Sequence, residues 1–188
     1  MDVSPTDLRL LPYPPLAPPE DLARVPRERW SSEQAETYAG WLHSVTDARI
    51  AGLLAYFGEA GRGIDEELVR DLGDHLKRTL PQPRFSAASA HGPELTNQGY
   101  GLAADMGLVG ARWLQNQYPH LRWSIVRKPK SDISYNLPVL TGFGKVPLDP
   151  VLVSINQAHG LLAGNRNSDA WVKVWNHWGA DAADHVPA

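Results

Sequence analysis

Residues 96–118 read as one long helix carrying four glycines, Gly99, Gly101, Gly107 and Gly110. No other stretch constrains the fold as tightly. Each glycine inside a helix costs up to about 1 kcal/mol against alanine, so the pattern needs a compensating contact. Bare backbone at Gly107 and Gly110 predicts another helix backbone crossing close to this one. Leu102, Met106, Val109 and Trp113 supply an apolar stripe, and Pro119 stops the helix. The functional alternative is a ligand lying against bare backbone near Tyr100.

Beyond Pro119 the chain reads as two short strands and a second helix. Leu121, Trp123, Ile125 and Arg127 alternate on one face of a strand at 121–127. Residues 128–132 make the turn. A second strand is expected at 133–141, where Pro138 marks an edge or a bulge. Such a ribbon is not stable alone and must lie against the helices. Residues 141–145 faintly resemble a phosphate loop, but Val146 follows the lysine where serine or threonine belongs, so a plain turn is expected. Asp149 then caps a helix with Pro150 at its first position. Leu152, Ile155 and Leu162 face inward and Gly164 closes it.

The remaining segments divide the chain into three regions. Residues 1–30 hold seven prolines together with Leu8, Leu10, Leu11, Tyr13 and Leu16, which predicts an extended arm laid on the domain. Residues 31–164 form a helical domain with its hairpin at 121–141. Within it, Ser31 and Gln34 predict a capping box, and Asp65 caps a helix with the buried stripe Leu68, Leu72, Leu76, Leu80. Residues 81–93 read as a loop. Ser86, Ser89 and His91 lie in it without an acid to orient them. Residues 165–188 form a tryptophan-rich last helix and tail. The fold class is therefore mainly α with a small antiparallel β-hairpin.

Composition narrows the function. There is no cysteine, which excludes disulfides, thiolate metal sites and a cysteine nucleophile. The net charge of −3 argues against a dedicated nucleic-acid binder. Residues 1–5 show no leader pattern, and no apolar run approaches the roughly 20 residues a membrane span needs. A cytoplasmic protein is expected, and the alanine-, glycine- and arginine-rich composition suggests a bacterial one.

No set of reactive side chains stands out as catalytic, and no cofactor is implied. His177, Asp181 and His185 follow metal-ligand spacing on a helix, but they fall in an alanine-rich tail, so no metal is assigned. The expected partner surface is the stripe Trp171, Trp175 and Trp178, joined by Arg127 and Lys128 of the basic hairpin. Three tryptophans either clasp the domain or meet a partner, and a homodimer through them is an open alternative. The competing reading is a small-ligand or enzyme pocket between helix 96–118 and the hairpin. Tyr100, Asp105, Tyr135, Asn136 and His159 would line it, with Asp105 paired to Arg112.

Gly107 to Trp113, Trp123, Leu137-Pro138-Val139 and the stretch 147–162 together resemble a loose group of uncharacterised bacterial domains. Members of such groups resemble immunity proteins encoded beside secreted toxins. The resemblance implies a cytosolic interaction module that binds and occludes a partner protein, a toxin among the candidates. It carries no catalytic residue.

Overall fold

A computed structural model describes residues 12–186. The first part of the predicted arm, with Leu8, Leu10 and Leu11, lies outside the described residues. The elements in order are α1 (Glu20–Ala23), a 3-10 turn (Arg27–Arg29), α2 (Ser32–Phe57), α3 (Glu66–Thr79), β1 (Ser86–Ser89), β2 (Gly92–Leu95), α4 (Asn97–Gln117), β3 (Arg122–Ile125), β4 (Pro138–Thr141), α5 (Pro150–Leu162) and α6 (Ala170–Ala183). The fold is mainly α, with small antiparallel β.

The glycine-bearing helix α4 is the centre. It touches α2, α3, α5 and α6, and every residue from Gly101 to Ala111 is buried. A Cβ on Gly107 would overlap the Pro150 carbonyl, so the start of α5 crosses α4 backbone to backbone. Gly110 differs from expectation: a side chain, the Trp175 indole, fills the space above it. The Ser31–Gln34 capping box forms, and Asp65 and Asp149 accept hydrogen bonds from Leu68 N and Leu152 N. Each cap satisfies amides that the first helical turn leaves unpaired.

Three further expectations change. Residues 81–93 are not simply a loop, because β1 and β2 pair there in register from Ser86↔Leu95 to Ser89↔Gly92. Their Ser-Ala-Ala-Ser and Gly-Pro-Glu-Leu sequences carry no apolar alternation, so the strands left no pattern to read. The second ribbon is shorter than expected, with β4 starting at Pro138 rather than 133. Asn136 breaks the strand by taking a positive φ of 63°, and its Nδ2 donates to the carbonyls of Arg27 and Trp30.

The third change concerns the tryptophans. Trp171 and Trp175 are fully buried in the main core, and α6 packs on α3, α4 and α5. Ser154 fixes the junction: its hydroxyl donates to Ala103 O at 2.6 Å and accepts from Trp171 Nε1 at 2.8 Å. Trp178 is half-buried, edge-on to Phe143 with ring centres 5.0 Å apart. Large apolar area at these positions is satisfied inside the chain, so Trp171 and Trp175 are not a surface for a partner.

Residues 12–19 have no regular secondary structure and lie over α2 and α4. Tyr13 is the anchor. Its amide donates to Gln98 Oε1 at 2.9 Å, and its ring packs edge-on against Tyr56. A second, smaller cluster gathers Leu22, Trp30 and Ala35 against Tyr38, Ile125 and Leu137. It joins the chain's N-terminal part to the β3–β4 ribbon.

Candidate partner-binding groove

Helix α2 presents Ala39, Leu42, His43 and Thr46 at i, i+3, i+4 and i+7, which puts them on one face. That face does not close onto the ribbon. Between it and β3 runs a groove of about 500 Å³, with Trp123, Ser124, Ile125, Arg127 and Pro138 on the far wall. Ala39 is small and Thr46 folds its hydroxyl back to Leu42 O at 2.7 Å. The helix wall is therefore low and mostly apolar, with exposed His43 at the rim.

Three consecutive residues of β3 border the groove. Alternation alone would divide them between two faces, so the strand meets the groove along its backbone edge. The hydrogen-bond phase agrees from both ends. Leu140 exchanges both of its backbone bonds with Leu148, at 2.7 and 2.8 Å, on the side of β4 away from β3. Trp123, opposite Leu140, is therefore in a pair that makes no bond across the ribbon. Val126, at the other end, bonds inward to Leu137 O and Asn136 N. Ile125 then points outward, opposite Pro138, which has no N–H to offer. Among the described residues no backbone bond is made by the N–H and C=O groups of Trp123 and Ile125, which form a free edge.

Arg127 closes one end of the groove. Its guanidinium donates to Glu36 Oε1 at 3.0 Å, to Ser32 O at 3.2 Å and to Asn136 Oδ1 at 3.4 Å. It thus ties α2 to the ribbon while keeping a third of its side chain exposed. Beyond it Lys128 and Lys130 are exposed, as is Arg122 on β3. Residues 119–131 carry four lysines and arginines and no aspartate or glutamate.

The five residues of the predicted ligand pocket are not brought together. Asp105 is 1% exposed on the α2 side of α4. Its partners are Tyr13 Oη, donating at 2.5 Å, and Arg49 Nε, donating at 2.7 Å. The predicted Arg112 pairs with Asp47 instead. Burial pushes the Asp105 carboxyl up to about 6, against the opposing pull of Arg49 and Tyr13. Burial and the neighbouring Asp105 likewise push the Tyr13 phenol well above its ordinary range. Arg49 also donates to the carbonyls of Pro15 and Pro14, at 3.0 and 3.1 Å. The cluster is a clamp for the arm, bordering a cavity of about 270 Å³.

Tyr100 and His159 do meet, with Oη and Nε2 at 3.3 Å, but as an isolated edge-on ring pair. Tyr135 is half-buried in a turn, its amide donating to Asp132 O. Asn136 spends its side-chain amide on backbone carbonyls. Among the described residues no group of His, Asp and Glu could hold a metal ion. His185 contacts Asp181 at 3.5 Å, while His177 turns to a separate open basin of about 650 Å³ with Arg166 and Lys173. No described helix is long and apolar enough to cross a membrane.

Sequence reading missed His43, Thr46 and Ala39 as groove residues. Their spacing on α2 is helical, but spacing alone does not tell a groove wall from a core face. Whether that face closes on the ribbon depends on how α2 and β3 sit together. No family model, curated protein or solved structure matches this chain.

Proposed function

We propose that this chain is a cytosolic protein-interaction module, of the bacterial immunity or accessory type, that binds a partner protein and occludes it. The groove between α2 and β3 carries the reading. It combines an apolar floor, unpaired backbone groups and a basic rim, which are the ingredients of a specific protein interface. Trp123, Ile125 and Leu42 form the floor; Arg127 and His43 line the rim, with exposed Arg122 and Lys128 next to it in sequence. Arg127 and Lys128 remain partner-binding residues on this reading. Trp171 and Trp175 contribute by holding α6 in the core. The enzyme reading loses ground because Asp105, Tyr135, Asn136 and His159 each serve a separate local structure.

The test is comparative capture of partners from the source cell. A39Q/H43E fills and recharges the helix wall with good helix formers. It should lose the partner that the wild-type chain captures, while its melting temperature stays within a few degrees. R166E, in the basin between α5 and α6, should keep it. Retention of the partner by A39Q/H43E would place the interface elsewhere.

A further inference from the structure

Given the groove as the partner surface, we infer that the partner enters it as an extended acidic segment and adds a third strand to the free edge of β3. The inference rests on that reading and specifies its chemistry. Trp123 and Ile125 direct two N–H and two C=O groups outward, as the pairing of Leu140 with Leu148 and of Val126 with residues 136 and 137 requires. An added strand would sit about 4.8 Å from β3, and the groove's roughly 500 Å³ lies along that edge. The other edge of β4 is already bridged by Leu148, so among the described residues β3 is the side of this ribbon left open.

Charge selects the occupant. Four lysines and arginines fall within residues 119–131 without an acid, whereas residues 86–95, the other hairpin, hold no lysine or arginine at all. Of the nearby carboxylates, Glu36 is paired with Arg127 and Asp132 accepts from the Ser134 amide at 2.7 Å. An incoming strand with alternating residues matches both faces of β3. Its apolar side chains would lie on the inner face beside Trp123 and Ile125, and its acids on the outer face beside Arg122. A second copy of this chain fits poorly, because two-fold pairing of β3 edges would bring the basic 122–130 segments of both copies side by side.

The probe is a capped octapeptide of alternating glutamate and valine, titrated against the full chain. Amide exchange is followed by NMR. Saturating peptide should slow exchange at Trp123 and Ile125 at least tenfold and leave Ser124, already bonded to β4, unchanged. A lysine–valine peptide, and a glutamate–valine peptide N-methylated at alternate residues, should each bind at least tenfold more weakly. I125P removes one outward N–H without touching a bond to β4 and should weaken binding at least tenfold more than I125A, which keeps it. If I125P fails to fold, the exchange pattern and the methylated peptide decide the matter. Equal binding of the methylated peptide, unchanged exchange at Trp123 and Ile125, displacement by an oligothymidylate of equal charge, or a β3-mediated dimer in sedimentation would each overturn strand addition. If strand addition fails while A39Q/H43E still loses its cellular partner, the groove stands as the interface by another mode. If A39Q/H43E keeps that partner, the functional reading itself fails.

Discussion

At the scale of single residues, the clamp around Asp105 makes the clearest demand on solution behaviour. A carboxyl held at about 6 binds a proton more tightly folded than unfolded, where aspartate titrates near 4. Its contribution to stability is complete below about pH 4 and is lost as the pH rises through about 6. Thermal or urea unfolding should therefore show stability increasing from pH 7 to 5 by about 1 kcal/mol, out of about 3 kcal/mol over the full titration. Asp149, also raised by burial, acts with the same sign. Glu59, lowered by its bonds to Arg62 and His75, acts oppositely and only at more acid pH. D105N should flatten most of the slope, because Arg49 keeps the Pro14 and Pro15 carbonyls. A slope unchanged by D105N would rule out Asp105 as its source. At Gly110 the Trp175 indole leaves no room for a methyl group. G110A should cost about 1–3 kcal/mol through overpacking, and W175A about 3–5 kcal/mol through the cavity it leaves, both read from denaturant midpoints. W175F should cost distinctly less, since Trp175 Nε1 reaches no acceptor among the described residues.

At the scale of elements, α6 is part of the domain and not an appendage. A chain ending at Gly164 would expose the α4 face that Trp171 and Trp175 cover, together with the part of α3 that α6 packs on. It should lose cooperative unfolding and collect in the insoluble fraction. A soluble chain of that length with a normal melting transition would contradict the packing. Helices α2, α3 and α5 were legible in the sequence because each announces its start by a cap: Ser31 with Gln34, Asp65 before Leu68, Asp149 before Pro150. The short α1 and the 3-10 turn carry no side-chain cap, and they correct the reading of residues 1–30 as wholly extended. The glycines of α4 announced a close crossing, and Gly107 provides it against Pro150. They did not say which neighbour lies over Gly110, since a helix backbone and an indole both need the same missing Cβ. The β1–β2 hairpin was illegible because its residues are small and polar. Position 136 misled for another reason: an asparagine in a run of strand formers gave no sign of a positive φ held by bonds to residues 27 and 30, more than a hundred positions earlier.

At the scale of the molecule, burial and exposure divide the functional candidates. Most aromatic mass lies in the core, where it holds α4 between its neighbours. Outside the core lies a groove between two elements that the described residues do not close, rimmed by positive charge on a protein whose net charge is −3. The sequence showed the basic hairpin and its edge strand, but the opposing wall belongs to α2, some eighty residues earlier. A site made by the juxtaposition of distant elements has no local signature. High salt should weaken partner binding because the rim is exposed. The apolar floor should keep part of the affinity, so a complete loss in moderate salt would contradict a groove of mixed character. The most direct measurement of the central claim is a hydrogen-exchange map of the chain with its captured partner. It should show protection concentrated on residues 39–46 and 122–127. Protection confined instead to the exposed face of α6 and the basin beside Arg166, with the groove unchanged, would contradict it.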